Sequence, residues 1–232
     1  MEKELQGFRD QIDAIDDQII ALLKERIGVV KQVGALKDST LKRACHARPG
    51  REGTMQRRIF NAFKDTDFNP LAATAMWRQI IGASTHLESP LKVAVLASTE
   101  DTLMYWHARS YFGHFSEVQM HSSAGAVLDA LAAGEACIAL LPTEPSYWAE
   151  LLTQEAYAKY KIFAHVPFVK RTDAQMQPFA YAIADVPMEA SDKDVSCFVG
   201  KDGALVLAEG FVQEHKGLPY VGTFPAPEEY GV

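Results

Sequence analysis

The chain has 232 residues, of which 48% are hydrophobic and 23% charged, and its formal net charge is −7. This composition is typical of a folded globular protein, and the acidic balance argues against a nucleic-acid partner. The three cysteines are odd in number and unevenly spaced, which argues against a disulfide framework or a metal cluster and indicates a reducing compartment. Because we find neither an apolar signal region nor an apolar run of membrane-spanning length, we expect a cytoplasmic protein without a membrane segment.

The first predicted element is a long amphipathic helix over residues 5–37. Its apolar residues alternate spacings of three and four, the pattern of a helix that packs lengthwise along another helix: Leu5, Phe8, Ile12, Ile15, Ile19, Leu22, Val29, Val33 and Leu36. Such a helix is about 50 Å long, too long for one small globule, so we expect a second chain to cover it. Arg26 occupies a position of this stripe where a hydrophobic residue is expected, and a guanidinium there needs an anion nearby.

Three cations of this helix have a spacing that suggests a site for a small anion. Arg26 and Lys37 are 11 residues apart, about 16 Å, so they share a face and their long side chains can converge. Arg9 lies 17 residues before Arg26, about 25 Å away, and reaches the same ligand only from an antiparallel second copy. The spacing therefore suggests a homodimer with shared sites. Taken singly, Arg9 and Lys37 are more typical of solvated surface charges, and Arg26 is also compatible with a local ion pair.

Two shorter helices are predicted next, over residues 51–64 and 71–87. Asn69 before Pro70 is a strong start signal for the second of them. Its predicted apolar stripe consists of Met76, Ile80, Ala83 and Leu87. Ser89-Pro90 marks a boundary, so residues 1–89 are predicted to form an all-helical domain.

Beyond residue 90 the pattern changes to strands that alternate with helices, which is typical of an α/β domain with a mostly parallel sheet. Strands are predicted over 92–96, 117–120, 137–141, 161–169, 179–184 and 194–199, and helices over 102–112, 124–133 and 148–156. The tail from Pro219 is rich in Pro, Gly and Glu and is predicted to be irregular. We therefore expect a multidomain protein, α followed by α/β, with domains over 1–89 and 91–190 and a C-terminal extension over 191–232.

The helical part resembles the all-helical chorismate mutase family. The resemblance covers residues 5–88 and rests on four stretches: Phe8-Arg9-Asp-Gln-Ile-Asp13-Ala-Ile-Asp16, Leu22-Leu23-Lys-Glu-Arg26, Val33-Gly34-Ala-Leu-Lys37 and Arg48-Pro49-Gly-Arg51-Glu52. It implies a three-helix fold, an intertwined dimer, and the rearrangement of chorismate to prephenate without metal or cofactor.

The resemblance also implies the roles of individual residues. Arg9 of the neighbouring subunit and Arg26 hold the two carboxylates of chorismate, while Lys37 donates to the ether oxygen of the breaking bond. Glu52 accepts from the ring hydroxyl. The remaining residues implied to contact or support the substrate are Arg48, Arg51 and Ser84.

Two departures from the family pattern affect these expectations. The loop between Lys37 and Arg51 is about two residues longer than in common members, which makes the approach of Arg51 and Glu52 uncertain. Many members place Gln where this chain has Glu88. Since a carboxylate donates only when protonated, we expect Glu88 to act as a catalytic pH switch that favours acidic pH. The simpler alternative is that Glu88 ends its helix facing water.

The second half resembles the first lobe of prephenate dehydratase in four stretches: Lys92-Val-Ala-Val-Leu96, Ala108-Arg-Ser-Tyr-Phe-Gly113, Val127-Leu-Asp-Ala-Leu-Ala-Ala-Gly134-Glu135-Ala and Leu141-Pro142-Thr-Glu144. The departures are severe. Ala97-Ser98-Thr99-Glu100-Asp101 replaces the family's Gly-rich opening, Gln177-Pro178 replaces its Thr-Arg, and the second lobe is too short. We therefore expect a degenerate single-lobe domain without dehydratase activity, which serves as a binding or docking module. Gly203-Ala204-Leu205-Val206 resembles the start of the regulatory domain that usually follows, so we expect residues 191–232 to be a remnant of it.

Three alternatives to the mutase prediction remain open from sequence. The protein can be a non-catalytic sensor of an aromatic precursor, or it can act on a related compound such as isochorismate. A bifunctional enzyme with a new second activity is the third, and no residue supports a specific reaction for it.

Overall fold

The computed structural model describes residues 1–38, 45–98, 100–144, 146–172 and 179–231, except for the side chains of Lys37, Asp38 and Tyr147. The chain divides into two compact units, Met1–Lys42 and Arg43–Val232. The first unit is one helix, and the second contains the other helices together with all the strands that the structure describes.

Helix α1 (Glu2–Asp38) forms the first unit and confirms the predicted long helix, three residues longer at its start and one at its end. The side chains of its apolar stripe are 40–72% exposed, from Val33 to Leu36. An apolar stripe of this size is energetically unfavourable in water. It therefore indicates a face that packs against another apolar surface.

The second unit begins with helices α2 (Pro49–Phe63) and α3 (Pro70–Glu88). As predicted, Asn69 caps α3, and its side chain accepts a hydrogen bond of 2.8 Å from Leu71 N. The predicted apolar stripe of α3 is not its buried face, since Met76 and Leu87 are about half exposed and Ala83 is exposed too. Apart from Ile81, the buried face instead carries small and polar residues: Ala73, Thr74, Arg78, Gly82 and Ser84. Small side chains occupy this face because α3 packs closely against the backbone of a neighbouring helix.

The strands that the structure describes form one large sheet and one small sheet. They are β1 (Lys92–Leu96), β2 (Glu117–His121), β3 (Ile138–Pro142), β4 (Lys161–Val166), β5 (Val169–Arg171), β6 (Ala180–Ala184), β7 (Asp194–Val199), β8 (Leu205–Glu209), β9 (Tyr220–Pro225) and β10 (Glu228–Tyr230). The large sheet has the order β2-β1-β3-β6-β4-β9-β7-β8, and β5 pairs with β10 in the small one.

The large sheet is mixed. Strands β2, β1 and β3 pair in parallel, as the alternating pattern predicts, because helices α4 (Leu103–Phe112) and α5 (Ala124–Ala132) supply the crossovers. From β6 onward the pairing is antiparallel except between β4 and β9. The α-then-α/β fold class is thus confirmed, with parallel pairing concentrated at one end of the sheet.

Both faces of the sheet are buried, and alternate residues of β1 show this. Val93 and Val95 point into a core with α4 and Phe60 of α2, while Ala94 points into a second core with α5 and Trp148. A short 3-10 helix (Tyr147–Thr153) covers part of the second core, where the sequence predicted a helix over 148–156.

The C-terminal segment differs from its prediction. The tail from Pro219 was expected to be irregular, but it contains β9 and β10, and β9 lies between β4 and β7 in the large sheet. The expected boundary near residue 190 therefore does not separate two bodies, because strands from both sides of it build the same sheet. The expected boundary at Ser89-Pro90 follows the end of α3, yet α2 and α3 share a compact unit with the sheet.

Within the described part of the chain, no helix combines the length and the apolar character that a membrane span requires.

Candidate functional site

The three predicted cations of the first unit lie on a single uninterrupted helix. Arg9, Arg26 and Lys37 all fall within α1, so Arg9 is about 25 Å along the axis from Arg26. Arg26 is half-buried, whereas Arg9 is exposed. The convergence of Arg26 and Lys37 on one anion stays a prediction, because the side chain of Lys37 lies outside the described atoms.

The other five predicted residues belong to the second unit, and two of them are joined there. Glu52, in the first turn of α2, accepts a hydrogen bond of 3.1 Å from the backbone N–H of Arg48. The Arg48 side chain turns away and forms an ion pair with Glu189, with Nη2 2.5 Å from Oε1. Arg51, on the same turn of α2, is exposed.

The other oxygen of Glu52 is held by a residue that the sequence reasoning missed. Arg78 on α3 donates from Nη1 to Glu52 Oε2 at 2.8 Å and from Nε to the Tyr111 carbonyl at 2.9 Å. Its guanidinium also lies 3.7 Å from the centre of the Tyr111 ring. Arg78 is buried, so this network positions Glu52 firmly. The sequence offered no signal for it, because Arg78 lies off the predicted apolar stripe of α3 and only the structure shows that its face is buried.

Ser84 and Glu88 lie one turn apart near the end of α3. The Ser84 hydroxyl donates 2.7 Å to the Ile80 carbonyl, a bond within its own helix. Glu88 Oε2 is 3.4 Å from His46 Nδ1, and the Glu88 side chain is only 11% exposed. A helix end that simply faces water does not describe this carboxylate, which has a titratable neighbour that the sequence did not reveal.

The segment before α2 is fixed to the sheet by a pair of thiols. Cys45 and Cys137 are both buried, and neither forms a disulfide. Their mutual hydrogen bond, together with burial, raises the pKa of Cys45, while the bond from Cys45 lowers the pKa of Cys137 to about 7. Lys92 N also donates to Cys137 Sγ at 3.4 Å. This anchor holds the short run from Cys45 to Arg48, and with it His46 and the start of α2.

Among the described residues, no group of three or more His, Cys, Asp and Glu side chains has an arrangement that holds a metal ion. The first unit carries the cations of α1. The second unit carries the α2 carboxylate of Glu52, which Arg78 of α3 holds. Fixed cations favour a small, multiply charged organic anion.

Comparison with known proteins connects these residues to a family. The family model described as "Chorismate mutase type II" matches residues 8–89. The chain is 29% identical over 146 residues to the bifunctional chorismate mutase/prephenate dehydratase of Stutzerimonas stutzeri, covering 62% of this chain and 40% of that protein. It is 33% identical over 114 residues to the enzyme of the same name from Aquifex aeolicus, covering 48% of this chain and 31% of that one.

The chain thus spans at most two fifths of the length of these relatives. Among solved structures, a prephenate dehydratase from Streptococcus mutans aligns with 13% identity and a TM-score of 0.32, over 48% of this chain and 61% of that one. A likeness this weak supports no argument about the second half. For the N-terminal part, residues 8–89 match the model of the chorismate mutase type II family.

Proposed function

We propose that the protein is a chorismate mutase that rearranges chorismate to prephenate. The observation that carries the proposal is α1, an uninterrupted helix with Arg9, Arg26 and Lys37 at the family's spacing, inside the stretch that matches the family. This reaction is a pericyclic rearrangement, so it needs neither a nucleophile nor a cofactor. The protein has to hold the substrate in a compact conformer and place positive charge where negative charge develops.

In the proposed site, Arg26 and Arg9 of a second subunit bind the two carboxylates of chorismate. Lys37 donates to the ether oxygen, where electron density increases as the bond breaks. Arg48, Arg51 and Ser84 support the bound substrate. Both oxygens of Glu52 already accept hydrogen bonds, but a carboxylate has further lone pairs and can still accept from the ring hydroxyl.

A homodimer with shared sites is part of this proposal. Its support is the exposed apolar stripe of α1, because the same helix that carries the cations also leaves large hydrophobic side chains in water. An isologous contact of two copies covers the stripe and brings Arg9 of one copy to the site of the other. We also propose a cytoplasmic location, supported by the three buried thiols, which form no disulfide.

The second unit is proposed to lack dehydratase activity. The support comes from the sequence, which has no Gly-rich opening after β1 and has Gln177-Pro178 before Phe179; the latter pair lies outside the described residues.

One observation favours a second candidate, a non-catalytic sensor of chorismate or of an analogue such as isochorismate. Arg78 forms an ion pair with Glu52 and so neutralises negative charge that a catalytic Glu52 would direct to the substrate. A sensor needs the anion-binding arginines but not a carboxylate aimed at the ring hydroxyl.

A coupled assay of the full chain distinguishes these proposals. Purified protein receives chorismate, and the loss of chorismate is followed together with the appearance of phenylpyruvate from pH 4 to 9. The mutase proposal expects prephenate to accumulate without phenylpyruvate, and the Arg26→Ala variant to lose at least about 100-fold in kcat/KM. Direct formation of phenylpyruvate would contradict the proposed loss of dehydratase activity. Binding of chorismate without turnover at any pH would favour the sensor.

A further inference from the structure

A cavity of about 220 Å³ lies inside the second unit, between α2, α3, α4 and the residues that join β4 to β5. None of the residues proposed to contact chorismate lines it. An apolar cavity of about 150 Å³ is large enough to bind benzene, so this one has room for a six-membered ring with one small substituent. Ala75 and Ser110 line the cavity and are exposed, which gives a ligand access from solvent.

Gln56 of α2 is the polar residue that sets this cavity apart. It lines the cavity and is 1% exposed, and neither Nε2 nor Oε1 has a hydrogen-bond partner among the described residues. Buried side-chain amides are normally hydrogen-bonded, so an unpaired one needs a reason. Thr74, also buried at the cavity, differs because its hydroxyl donates to the Pro70 carbonyl of its own helix at 2.9 Å. The Gln56 amide needs a partner that offers an acceptor to Nε2 and a donor to Oε1.

The titratable side chains that line the cavity already interact with other groups of the chain. Arg78 forms its ion pair with Glu52 and donates to the Tyr111 carbonyl. Arg171 and His107 have interactions of their own. Among the described residues, the cavity therefore offers an ion no uncommitted counter-charge, while an ion that enters it gives up its hydration. We expect an uncharged ligand for this reason.

The walls of the cavity are mainly apolar and partly aromatic. They include Leu71, Tyr111, Val166 and Phe168, of which the last three are buried. Small-molecule sites usually combine such walls with a few polar groups, in which the walls bind the body of the ligand and the polar groups fix its orientation. Here the Gln56 amide is the group that can fix the orientation, because its two polar atoms present a donor and an acceptor side by side.

We propose that this cavity binds an uncharged molecule that consists of one aromatic ring and one amide group. Gln56 Nε2 donates to the carbonyl oxygen of the ligand, the amide N–H of the ligand donates to Gln56 Oε1, and the apolar walls enclose the ring. Two amides pair in this way through two hydrogen bonds, which satisfies both buried atoms of Gln56 at once. The proposal is independent of the mutase activity, since it uses other residues of the second unit.

NMR titration of benzamide, acetophenone and benzoate with the full chain tests the proposal, because the three compounds have nearly the same shape. Acetophenone replaces the amide NH₂ with a methyl group, and benzoate replaces it with a charged oxygen. We expect saturable binding of benzamide with a dissociation constant in the millimolar range or tighter. The other two should bind at least about fivefold more weakly, since neither offers a donor to Gln56 Oε1. Equal or tighter binding of either compound, or no saturation with benzamide, would overturn the proposal and leave ordered water as the partner of Gln56.

Three variants locate the binding. Gln56→Leu removes the unpaired amide without leaving a large void, so it should fold and bind benzamide about tenfold more weakly. It should bind acetophenone at least as tightly as the wild type does, so that the preference for benzamide disappears. Gln119→Leu is the matched control, since Gln119 lies on β2 and does not line the cavity; it should keep both the affinity and the preference.

Arg26→Ala should also bind benzamide as the wild type does, because Arg26 belongs to the proposed mutase site. Loss of binding in Arg26→Ala, or an unchanged preference for benzamide in Gln56→Leu, would place benzamide elsewhere and refute the cavity as its site.

Discussion

The ability of Glu88 to donate a hydrogen bond depends on whether its carboxyl group is protonated. Its carboxylate lies 3.4 Å from His46 Nδ1 and is largely shielded from solvent. In the proposed mutase, a protonated Glu88 donates to the ether oxygen and an ionised one cannot. We expect kcat/KM for chorismate to rise by at least about tenfold as the pH falls from 8 to 5. The Glu88→Gln variant should be active across this range with a flat profile.

Because His46 Nδ1 lies 3.4 Å from Glu88 Oε2, the profile needs a control at His46. The His46→Gln variant keeps a polar side chain and removes the imidazole beside Glu88. We expect it to retain a rise in activity toward acidic pH. A profile that flattens in His46→Gln and stays unchanged in Glu88→Gln would assign the pH dependence to the histidine instead.

The burial of His165 allows a prediction of how the free energy of unfolding changes at acidic pH. It is buried in β4, with the rings of Phe179, Tyr181 and Phe224 5.0, 5.8 and 5.9 Å away, and Nδ1 is 3.0 Å from the Pro167 carbonyl. Burial lowers its pKa from 6.5 to about 4. Between these values the unfolded chain binds a proton that the folded chain does not, so the free energy of unfolding falls as pH falls from 6.5 to 4, by about 3 kcal/mol from this group.

Urea unfolding at a series of pH values measures this contribution. The His165→Gln variant keeps a donor for the Pro167 carbonyl but cannot titrate, so its stability should decline less over the same interval. Parallel pH profiles for the wild type and the variant would show that His165 is protonated in the folded state.

At the scale of elements, helix α3 depends on a glycine where it meets α4. A Cβ on Gly82 would lie 2.5 Å from the Phe112 carbonyl oxygen and 2.8 Å from its carbon. These are backbone atoms and cannot rotate away, so Gly82→Ala must separate the two helices. We expect a loss of about 1–3 kcal/mol in the free energy of unfolding, measured with urea. Gly125→Ala, in α5, is the control: its Cβ would meet only Ser123 Oγ at 4.0 Å, and stability should stay equal or rise by up to about 1 kcal/mol.

The elements that the sequence predicts well are those with local signals. The sequence predicts α1 from its long stripe of apolar residues spaced three and four apart, and α3 from its cap at Asn69. It predicts β1 and β7 from short apolar runs between turns. Strand β9 was missed because the tail from Pro219 is rich in Pro, Gly and Glu, and Gly222 lies within this strand. Its φ of 148° and the Ile162 backbone beside it show that a glycine is needed there for β4 to approach.

The candidate site residues differ in what the sequence reveals of them. The sequence predicts that Arg9, Arg26 and Lys37 share one helix, which α1 confirms, while their roles in a site stay a prediction. The partners Arg78, His46 and Glu189 are not, because each meets its predicted residue through contacts between elements that sequence spacing does not encode.

For the whole molecule, the decisive question is whether two chains share each mutase site. A site that takes Arg9 from one chain and Arg26 from the other makes a specific prediction for mixed dimers. The variants Arg9→Ala and Arg26→Ala should each lose at least about 100-fold in kcat/KM. A dimer that contains one of each has one site with both arginines and one site with neither. Unfolding and refolding an equal mixture should therefore restore about a quarter of the wild-type activity.

The matched control is a mixture of Arg26→Ala with Lys37→Ala. Both residues serve the site on their own chain, so in every mixed dimer each site lacks one cation, and activity should stay at the level of the separate variants. Recovery in the first mixture and not in the second requires a dimer in which Arg9 alone crosses between chains. Failure of the first mixture to recover, with the refolded wild type active, would mean that each chain carries a complete site. The exposed apolar stripe of α1 would then have to be covered by some surface other than a second copy of this helix.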